Sequence, residues 1–458
     1  MGRLRYFIAF VLAKLSVIAL KVTHHKGTNF PGKLALRIAP DFLRYVPKPK
    51  HIVAVTGTNG KTTVSNLICD LLTADGVRVL SNRYGSNINS GIATTLLAGA
   101  RLFGGCRFDV AVLETDERST PRIFPFVVPE TVIITNLFRD SIMRNAHPAY
   151  IADILTREIP KSAKLILNAD DLISSRVAPE NPRVYFGIRS LPDDTAECRN
   201  LINDMRICPL CAAPLIYERR RYHHIGRAHC SSCDFTSPAC TYEATEVDFA
   251  ARKLRIEDGG GAGEYPLISD SIVNAYNTVT AIAFLREYGF SREKIASLLA
   301  DCRIVASRHL EEPVGDITLV MQMAKEKNAL ACSRAFDYIA KHSGEKEILL
   351  MMNCLGDAKH WSENVSWMYD CDFEFLNRPD VRTVIATGPR AYDYRLRLLL
   401  AGVPAEKIVC VSDEMEATEH LPFVPGDRVY LLYGTDSFVY AGKVKEKLMR
   451  LAEEAAKR

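Results

Sequence analysis

The sequence lacks an excess of charge of either sign: 58 basic residues stand against 54 acidic ones, a net charge of +4 over 458 residues. Such a balance does not demand a nucleic-acid partner, and none is expected. It also lacks an apolar run able to span a bilayer, which takes ~20 residues. The strongest candidate, YFIAFVLAKLSVIALKV from Tyr6 to Val22, is short and is interrupted by Lys14. Arg3 and Arg5 precede it as in a secretory signal, but no small-x-small cleavage site follows, and the chain continues as KVTHHKGTNFPG. The segment reads as a helix, either buried through an amphipathic face or resting on the inner face of a membrane. No internal repeat at a fixed period is found. The thirteen cysteines are odd in number, in a chain far too long for a small disulfide-stapled scaffold, so a reducing cytosol fits best. What is present is ordinary for a globular protein: 48% hydrophobic and 24% charged residues.

From His51 onward, apolar runs alternate with helical stretches. HIVAVTG, VRVLSN, FDVAVLETD, TVIITNLF and KLILNADD read as strands, and Lys61 to Leu72 as a helix. The alternation predicts a mostly parallel, doubly wound α/β sheet. Residues 199–245 break the rhythm with paired cysteines and many basic residues. The sheet pattern resumes with KLRIE, and the glycines of DGGGAGE read as a hairpin turn, not a phosphate loop. A second alternating block begins near residue 315, with strands in EILLMMN, TVIATG, KIVCV and RVYLLYG and a helical tail from Ser437. The division expected is an N-terminal helical segment over 1–48, a nucleotide-type domain over 49–309 that carries an insertion over 199–245, and a smaller α/β domain over 310–458.

Val55-Thr56-Gly57-Thr58-Asn59-Gly60-Lys61-Thr62-Thr63 lies between a predicted strand and a predicted helix. Glycines let the backbone curl its N–H groups toward phosphate oxygens, and the helix N-terminus adds the positive end of its dipole. Lys61 reaches the terminal phosphates, and Thr62 can place its hydroxyl on Mg²⁺. Val55 replaces the first glycine of the usual phosphate-loop pattern. The variant TGTNGKTT resembles the loop of the Mur ligases. That resemblance implies ATP bound by Gly57, Thr58, Asn59, Gly60, Lys61, Thr62 and Thr63. It also implies Asn274 and Asn277 near the adenine, Arg308 in ASRHLE near the phosphates, and Glu114 with Thr62 on Mg²⁺. Asn136 and Asp140 in TNLFRD fall at the next strand end, the edge where such sheets bind ligands.

Cys208-x2-Cys211 and Cys230-x2-Cys233, with eighteen residues between them, have zinc-ribbon spacing. Four thiolates close a tetrahedron and leave no open position, so the Zn²⁺ is structural and not catalytic. His223, His224 and His229 lie between the knuckles, and Arg219, Arg220 and Arg221 read as a solvated hairpin. Ribbon, ATP loop and C-terminal domain together resemble the MurT subunits of lipid II isoglutaminyl synthases. The resemblance implies a Mur-ligase-type ATP-binding domain with an inserted zinc ribbon, followed by a Rossmann-like C-terminal domain. It further implies a GatD-like glutaminase partner that releases ammonia. The activity implied is ATP-dependent amidation of the free α-carboxyl of D-glutamate in a lipid II-type peptidoglycan precursor.

One motif departs from that family. Where it carries D-G-R-D-x-S-W, this sequence runs from Asn353 to Trp367 with an enlarged, rewritten first half, followed by Asp370-Cys371-Asp372-Phe373-Glu374. In the family an aspartate there orients the histidine of the glutaminase triad; Asn364 occupies its place. An asparagine does not stabilise an imidazolium as a carboxylate does. Asp357 or Glu363 can replace it through the longer loop, the partner can supply its own acid, or the glutaminase partnership is lost. Two rival functions remain: a divergent Mur-type amino-acid ligase, and a zinc-ribbon scaffold that binds nucleotide without turnover.

Overall fold

The computed structural model describes residues 2–23, 27–139, 147–269, 271–302, 309–324, 328–352, 365–434 and 437–457. They form two compact units. The first comprises Met1–Phe138, His147–Arg199 and Asn203–Arg303; the second comprises Arg139–Ala146, Asn200–Ile202 and Ile304–Arg458.

The first unit is built on a sheet that contains, among the described residues, β1 (His51–Thr56), β2 (Val79–Ser81), β3 (Val110–Glu114), β4 (Thr131–Ile134), β5 (Lys164–Asn168), β6 (Arg183–Ile188), β9 (Tyr242–Asp248), β10 (Lys253–Asp258) and β11 (Gly261–Pro266). Their order is β11-β10-β9-β6-β5-β4-β1-β3-β2. Pairing is parallel from β2 to β9 and antiparallel over the last two ladders. Central strands are buried on both faces, so they read as continuous apolar runs such as Val132-Ile133-Ile134. The expected strands and the Gly259–Gly261 hairpin are present. The sheet resumes earlier than expected, at β9 and not at KLRIE. In β9, Tyr242 and Ala244 are buried while Glu243, Thr245 and Glu246 are not, so the strand alternates and lacks the continuous apolar run of its central neighbours.

Helix α1 (Gly2–Val22) buries Ala9, Phe10 and Ala13 in the core of this unit, and the Tyr6 ring lies 5.4 Å from that of Phe42. Its opposite face is apolar and exposed. The helix is thus only half a core helix, and no described helix is long and apolar enough to cross a membrane. After it come α2 (Phe30–Ile38), α3 (Lys61–Ala74), α4 (Asn89–Gly99), α5 (Pro148–Glu158), α6 (Ile272–Glu287) and α7 (Arg292–Asp301). The inserted segment folds as an antiparallel hairpin, β7 (Leu215–Tyr222) with β8 (Ile225–Cys230). Its apolar cluster is small: Leu172, Leu215, Tyr217 and Ala228 with two of the cysteines.

The second unit holds β12 (His309–Val314), β13 (Ile317–Met323), α8 (Ala329–Lys341), β14 (Lys346–Met351), β15 (Val381–Thr387), α9 (Ala391–Leu400), β16 (Ile408–Val411), β17 (Arg428–Tyr433) and α10 (Phe438–Ala455). The sheet order is β12-β13-β17-β14-β15-β16, parallel except at β12. This is the smaller α/β domain expected from the second alternating block.

Candidate functional site

The loop between β1 and α3 begins where the buried strand ends and bends twice through left-handed backbone, at Gly57 (φ 122°) and Gly60 (φ 91°). A Cβ on Gly57 would overlap Thr135 Oγ1, and one on Gly60 would overlap Asn277 Oδ1, so only glycine fits either place. No side chain caps the start of α3. A helix start of this kind, with its dipole's positive end toward the loop, is an arrangement that binds anions.

Neighbouring strand ends hold this loop in place. The Asn59 N–H donates to Asn136 Oδ1 (3.0 Å), while Asn136 Nδ2 (2.9 Å) and Thr135 Oγ1 (2.6 Å) donate back to the Asn59 carbonyl. The Thr58 N–H donates to the Asn136 carbonyl (2.8 Å), and the Phe138 N–H donates to Thr58 Oγ1 (2.9 Å). Lys61 Nζ is within 3.0 Å of the buried carboxylate of Glu117 and also donates to the Gly57 carbonyl. The same carboxylate accepts from the Gly57 N–H (2.8 Å) and lies 3.3 Å from Thr56 Oγ1. Glu117 escaped the sequence reading. A turn carboxylate gives no sign in the sequence of the lysine, 56 positions away, that folds onto it.

Thr62 Oγ1 donates to Glu114 Oε2 at 2.8 Å, and Asn87 Nδ2 donates to Glu114 Oε1 at 3.0 Å. The Glu114 backbone is fixed on both sides by Asn82, 2.9 Å from its N–H and 2.8 Å from its carbonyl. A hydroxyl and a carboxylate converging in this way form the hard oxygen set that suits Mg²⁺ beside a phosphate. Thr63 follows Thr62 in the first turn of α3. Across the loop, Asn274 and Asn277 lie in the first two turns of α6 and are joined by a 3.1 Å hydrogen bond. Asn277 is the residue against which Gly60 packs. The fold therefore brings together Gly57 to Thr63, Glu114, Asn136, Asn274 and Asn277. Arg308 and Asp140 lie outside the described residues.

The sulfur atoms of Cys208, Cys211, Cys230 and Cys233 all lie within 4.8 Å of one another, with Cys208–Cys233 at 3.6 Å and Cys211–Cys230 at 3.4 Å. Backbone N–H groups point at the first sulfur of each knuckle: Leu210 to Cys208 (3.4 Å) and Ser232 to Cys230 (3.3 Å). Such bonds favour the thiolate, the form that binds metal. Burial opposes ionisation of Cys230, but the Ser232 N–H and the neighbouring thiols pull its pKa down to about 6. Four soft donors at these separations fit a tetrahedral Zn²⁺ with Zn–S bonds of ~2.3 Å.

The far end of the ribbon hairpin is buried against the first unit's sheet. His224 Nε2 is 3.1 Å from Asp171 Oδ1, whose other oxygen accepts from the Leu137 N–H at 2.7 Å. The Phe138 ring lies 4.5 Å from that of His224 and stacks on Tyr222 at 6.0 Å. Burial alone would raise the Asp171 pKa, but the His224 hydrogen bond and charge, with bonds from Ser174 and Ile173, hold it below 3.8. Arg221 also corrects an expectation: it is not solvated. It is buried between Asp170 (3.5 Å) and Asp194 (2.7 Å) and donates to the Tyr276 hydroxyl, so the basic run serves the interior. Arg220 lies over the Tyr217 ring at 3.5 Å.

In the second unit, Asn364, Asp357 and Glu363 fall within 353–364, outside the described residues. The acidic motif that follows is tied down by Arg397 of α9. Its guanidinium donates to the carbonyls of Met368 (3.0 Å) and Cys371 (2.8 Å) and to the Glu374 carboxylate (2.8 Å). Asp372 is buried, its N–H donating to Ser333 Oγ (2.9 Å) and its carboxylate accepting from Asn200 Nδ2 (2.8 Å).

Residues 55–199 match the family model of the Mur ligase middle domain, and residues 326–435 match that of the MurT ligase C-terminal domain. The chain is 31% identical over 419 residues to the lipid II isoglutaminyl synthase (glutamine-hydrolyzing) subunit MurT of Staphylococcus aureus (strain COL), covering 89% of this chain and 90% of that one. The subunit of the same name from Streptococcus pneumoniae (strain ATCC BAA-255 / R6) is 31% identical over 411 residues, 88% of this chain and 87% of that one. Among solved structures, the fold is similar to a pseudomurein peptide ligase type C from Methanothermus fervidus (TM-score 0.65, 23% identity, 89% of this chain and 81% of that one). It is also similar to MurF from Acinetobacter baumannii (TM-score 0.62, 17% identity, 91% and 80%).

Proposed function

The chain belongs to the MurT family of Mur-type ligases, and from that membership we propose that it amidates the free α-carboxyl of D-glutamate in a lipid II-type precursor. At the coarser level it is an ATP-using ligase of peptidoglycan precursors. The observation that carries the finer reading is a phosphate loop already in shape, its lysine resting on Glu117 and its threonine on Glu114, in a chain whose other domain is of MurT type.

A carboxylate is a poor electrophile until one oxygen becomes a leaving group. On this reading the acceptor's carboxylate oxygen takes the γ-phosphoryl group of ATP, and ammonia then displaces phosphate to leave the amide and release a proton. The loop's N–H groups and Lys61 bind and orient the phosphates and neutralise the charge that develops on them. Glu117 keeps the lysine over the loop until the phosphates draw it away. Thr62 and Glu114 would hold Mg²⁺, which supplies charge neutralisation at the phosphoryl oxygens. Arg308 adds a cation there, and Asn274 and Asn277 line the adenine side. The four cysteines would hold a structural Zn²⁺ and take no part in the chemistry. Ammonia comes from a GatD-like glutaminase, and the reaction takes place in the cytoplasm, at the membrane face where the lipid-linked acceptor is held.

The test is ADP release by the purified chain with free ammonia, with and without a lipid-linked muropeptide acceptor. Turnover that requires both supports the reading. Turnover that requires an amino acid in place of ammonia points to the amino-acid ligase, and nucleotide binding without turnover points to the scaffold. For the glutaminase partnership, Asp357 takes the part of the missing family aspartate at Asn364. Asp357→Ala is expected to lower glutamine-driven amidation, by as much as ~10⁴ if triad orientation is lost, and to spare the ammonia-driven reaction. Asn364→Asp is expected to keep or raise glutamine use. If neither substitution changes glutamine-driven turnover, the loop serves no partner triad.

A further inference from the structure

Helix α1 carries two apolar faces, and its own unit uses only one. Ala9, Phe10 and Ala13 are buried in the core. On the other side, Leu4, Ile8, Leu12, Leu15, Ile18 and Val22 are each between 43% and 73% exposed. At 3.6 residues per turn these six positions fall within an arc of about 120° and run the length of the helix. Arg3 and Arg5, both exposed, flank that arc on either side at the N-terminal end, and the helix contains no acidic residue.

We propose that this face of α1 docks on an anionic phospholipid surface. Aliphatic side chains stripped of a protein partner gain by entering the region between headgroups and acyl chains, and basic residues beside them gain by meeting anionic headgroups. A docking face for an ordinary protein partner has no need of a helix wholly free of carboxylates. A face that approaches a negatively charged surface does, because every carboxylate there is repelled. The helix lies flat, since its buried side is committed to the core and it is not long and apolar enough to cross. This deepens the reading of a lipid-linked acceptor and rests on it for the identity of what the bound enzyme would meet. The docking itself needs neither acceptor nor nucleotide.

The experiment is co-sedimentation of the full chain with vesicles of phosphatidylglycerol mixed with phosphatidylcholine, and with vesicles of phosphatidylcholine alone, at low and high salt. The chain is expected to pellet with the anionic vesicles and to be released from them by salt. The double substitution Ile8→Glu, Leu15→Glu is expected to weaken binding by about a hundredfold or more, since it places two carboxylates in the inserted face. Arg3→Glu, Arg5→Glu leaves the apolar face untouched, and is expected to cost at least about fivefold per cation reversed and to lower the salt dependence. Both pairs are exposed, and unchanged zinc content and melting temperature confirm their folding. A wild-type chain that stays in the supernatant with anionic vesicles overturns the proposal. So does binding that neither pair alters, or a wild-type dimer that the glutamates split, which would make the face a contact between copies. Because no ATP or acceptor is present, failure to pellet alongside intact acceptor-dependent turnover overturns the docking alone. Pelleting without turnover overturns the ligase reading alone.

Discussion

The phosphate loop and the cysteine ribbon stand in the same unit and are kept in shape by opposite means. The loop rises from a buried parallel sheet, and its backbone is pinned by Asn136, Thr135 and Glu117, residues from two further strand ends. The ribbon has a two-stranded hairpin and a cluster of a few apolar side chains, too little to stabilise itself. Four thiols converge where a core would otherwise be. The first region is shaped by its protein neighbours, and the second has a set of four thiols suited to a metal in place of a core. At the hairpin's far end the two meet, where His224 and Tyr222 cover Phe138, whose N–H donates to Thr58 of the loop.

The largest expected effect tests the loop's independence from its ligand. Lys61→Ala should reduce ATP turnover by about 10²–10³-fold, the scale of losing a principal charge-stabilising donor, and should lower the melting temperature without unfolding the chain, because it takes the cation away from the buried Glu117 carboxylate. A variant that unfolds would make the lysine part of the scaffold, and unimpaired turnover would remove the phosphate-loop assignment. The ribbon should behave in the reverse way. Elemental analysis should return one zinc per chain, and Cys230→Ser or chelation should unfold the hairpin, because structural zinc sites contribute ~10–16 kcal/mol of binding free energy to folding. Ready alkylation of all four thiols in the untreated native protein would break the contrast.

Smaller effects come from the place where the regions meet. His224→Ala removes one partner of a buried pair, a change that costs on the order of 3–5 kcal/mol, and should weaken nucleotide binding several-fold by loosening Phe138. Titration calorimetry with a non-hydrolysable nucleotide reads this directly; unchanged affinity would mean that the ribbon braces only itself. The smallest effect is one of pH. The folded-state pKa of Asp171 lies below its ordinary 3.8. Its contribution to stability is therefore fully present above about pH 4 and is lost as pH falls through the lower folded value. The stability advantage of the wild type over Asp171→Asn should hold from neutral pH down to that point and shrink below it. An advantage that grew on acidification would reverse the sign of the argument.

Some of this was legible in the residues as written, because the chemistry is contiguous. TGTNGKTT declares a strand end, a glycine turn and a helix start within eight residues, and paired Cys-x2-Cys steps declare a knuckle each. Unbroken apolar runs such as TVII declare buried parallel strands, since both faces must be covered. Glu117 was not legible as the partner of Lys61, because a lone acidic residue in a turn carries no signal until a lysine 56 positions away is folded onto it. Arg221 read as solvent-facing because basic runs on hairpins usually are. Only the fold shows it enclosed by Asp170, Asp194 and Tyr276.

Helix α1 marks the boundary between the two kinds of knowledge. Its length and Lys14 were enough to exclude a bilayer span, and its apolar content was enough to predict a helix. Composition alone could not divide that apolar surface, because Phe10 and Leu12 are equally hydrophobic on paper. Burial decides, and it depends on which arc faces the helices packed beside it. By itself, then, the sequence determined the glycine-rich loop, the paired cysteine knuckles and the α/β alternation, all set by residues near one another in the chain. Tertiary structure alone decided which carboxylate holds the loop lysine, how the ribbon is anchored beside the loop, and which side of α1 is left bare, because those contacts join residues the chain keeps far apart.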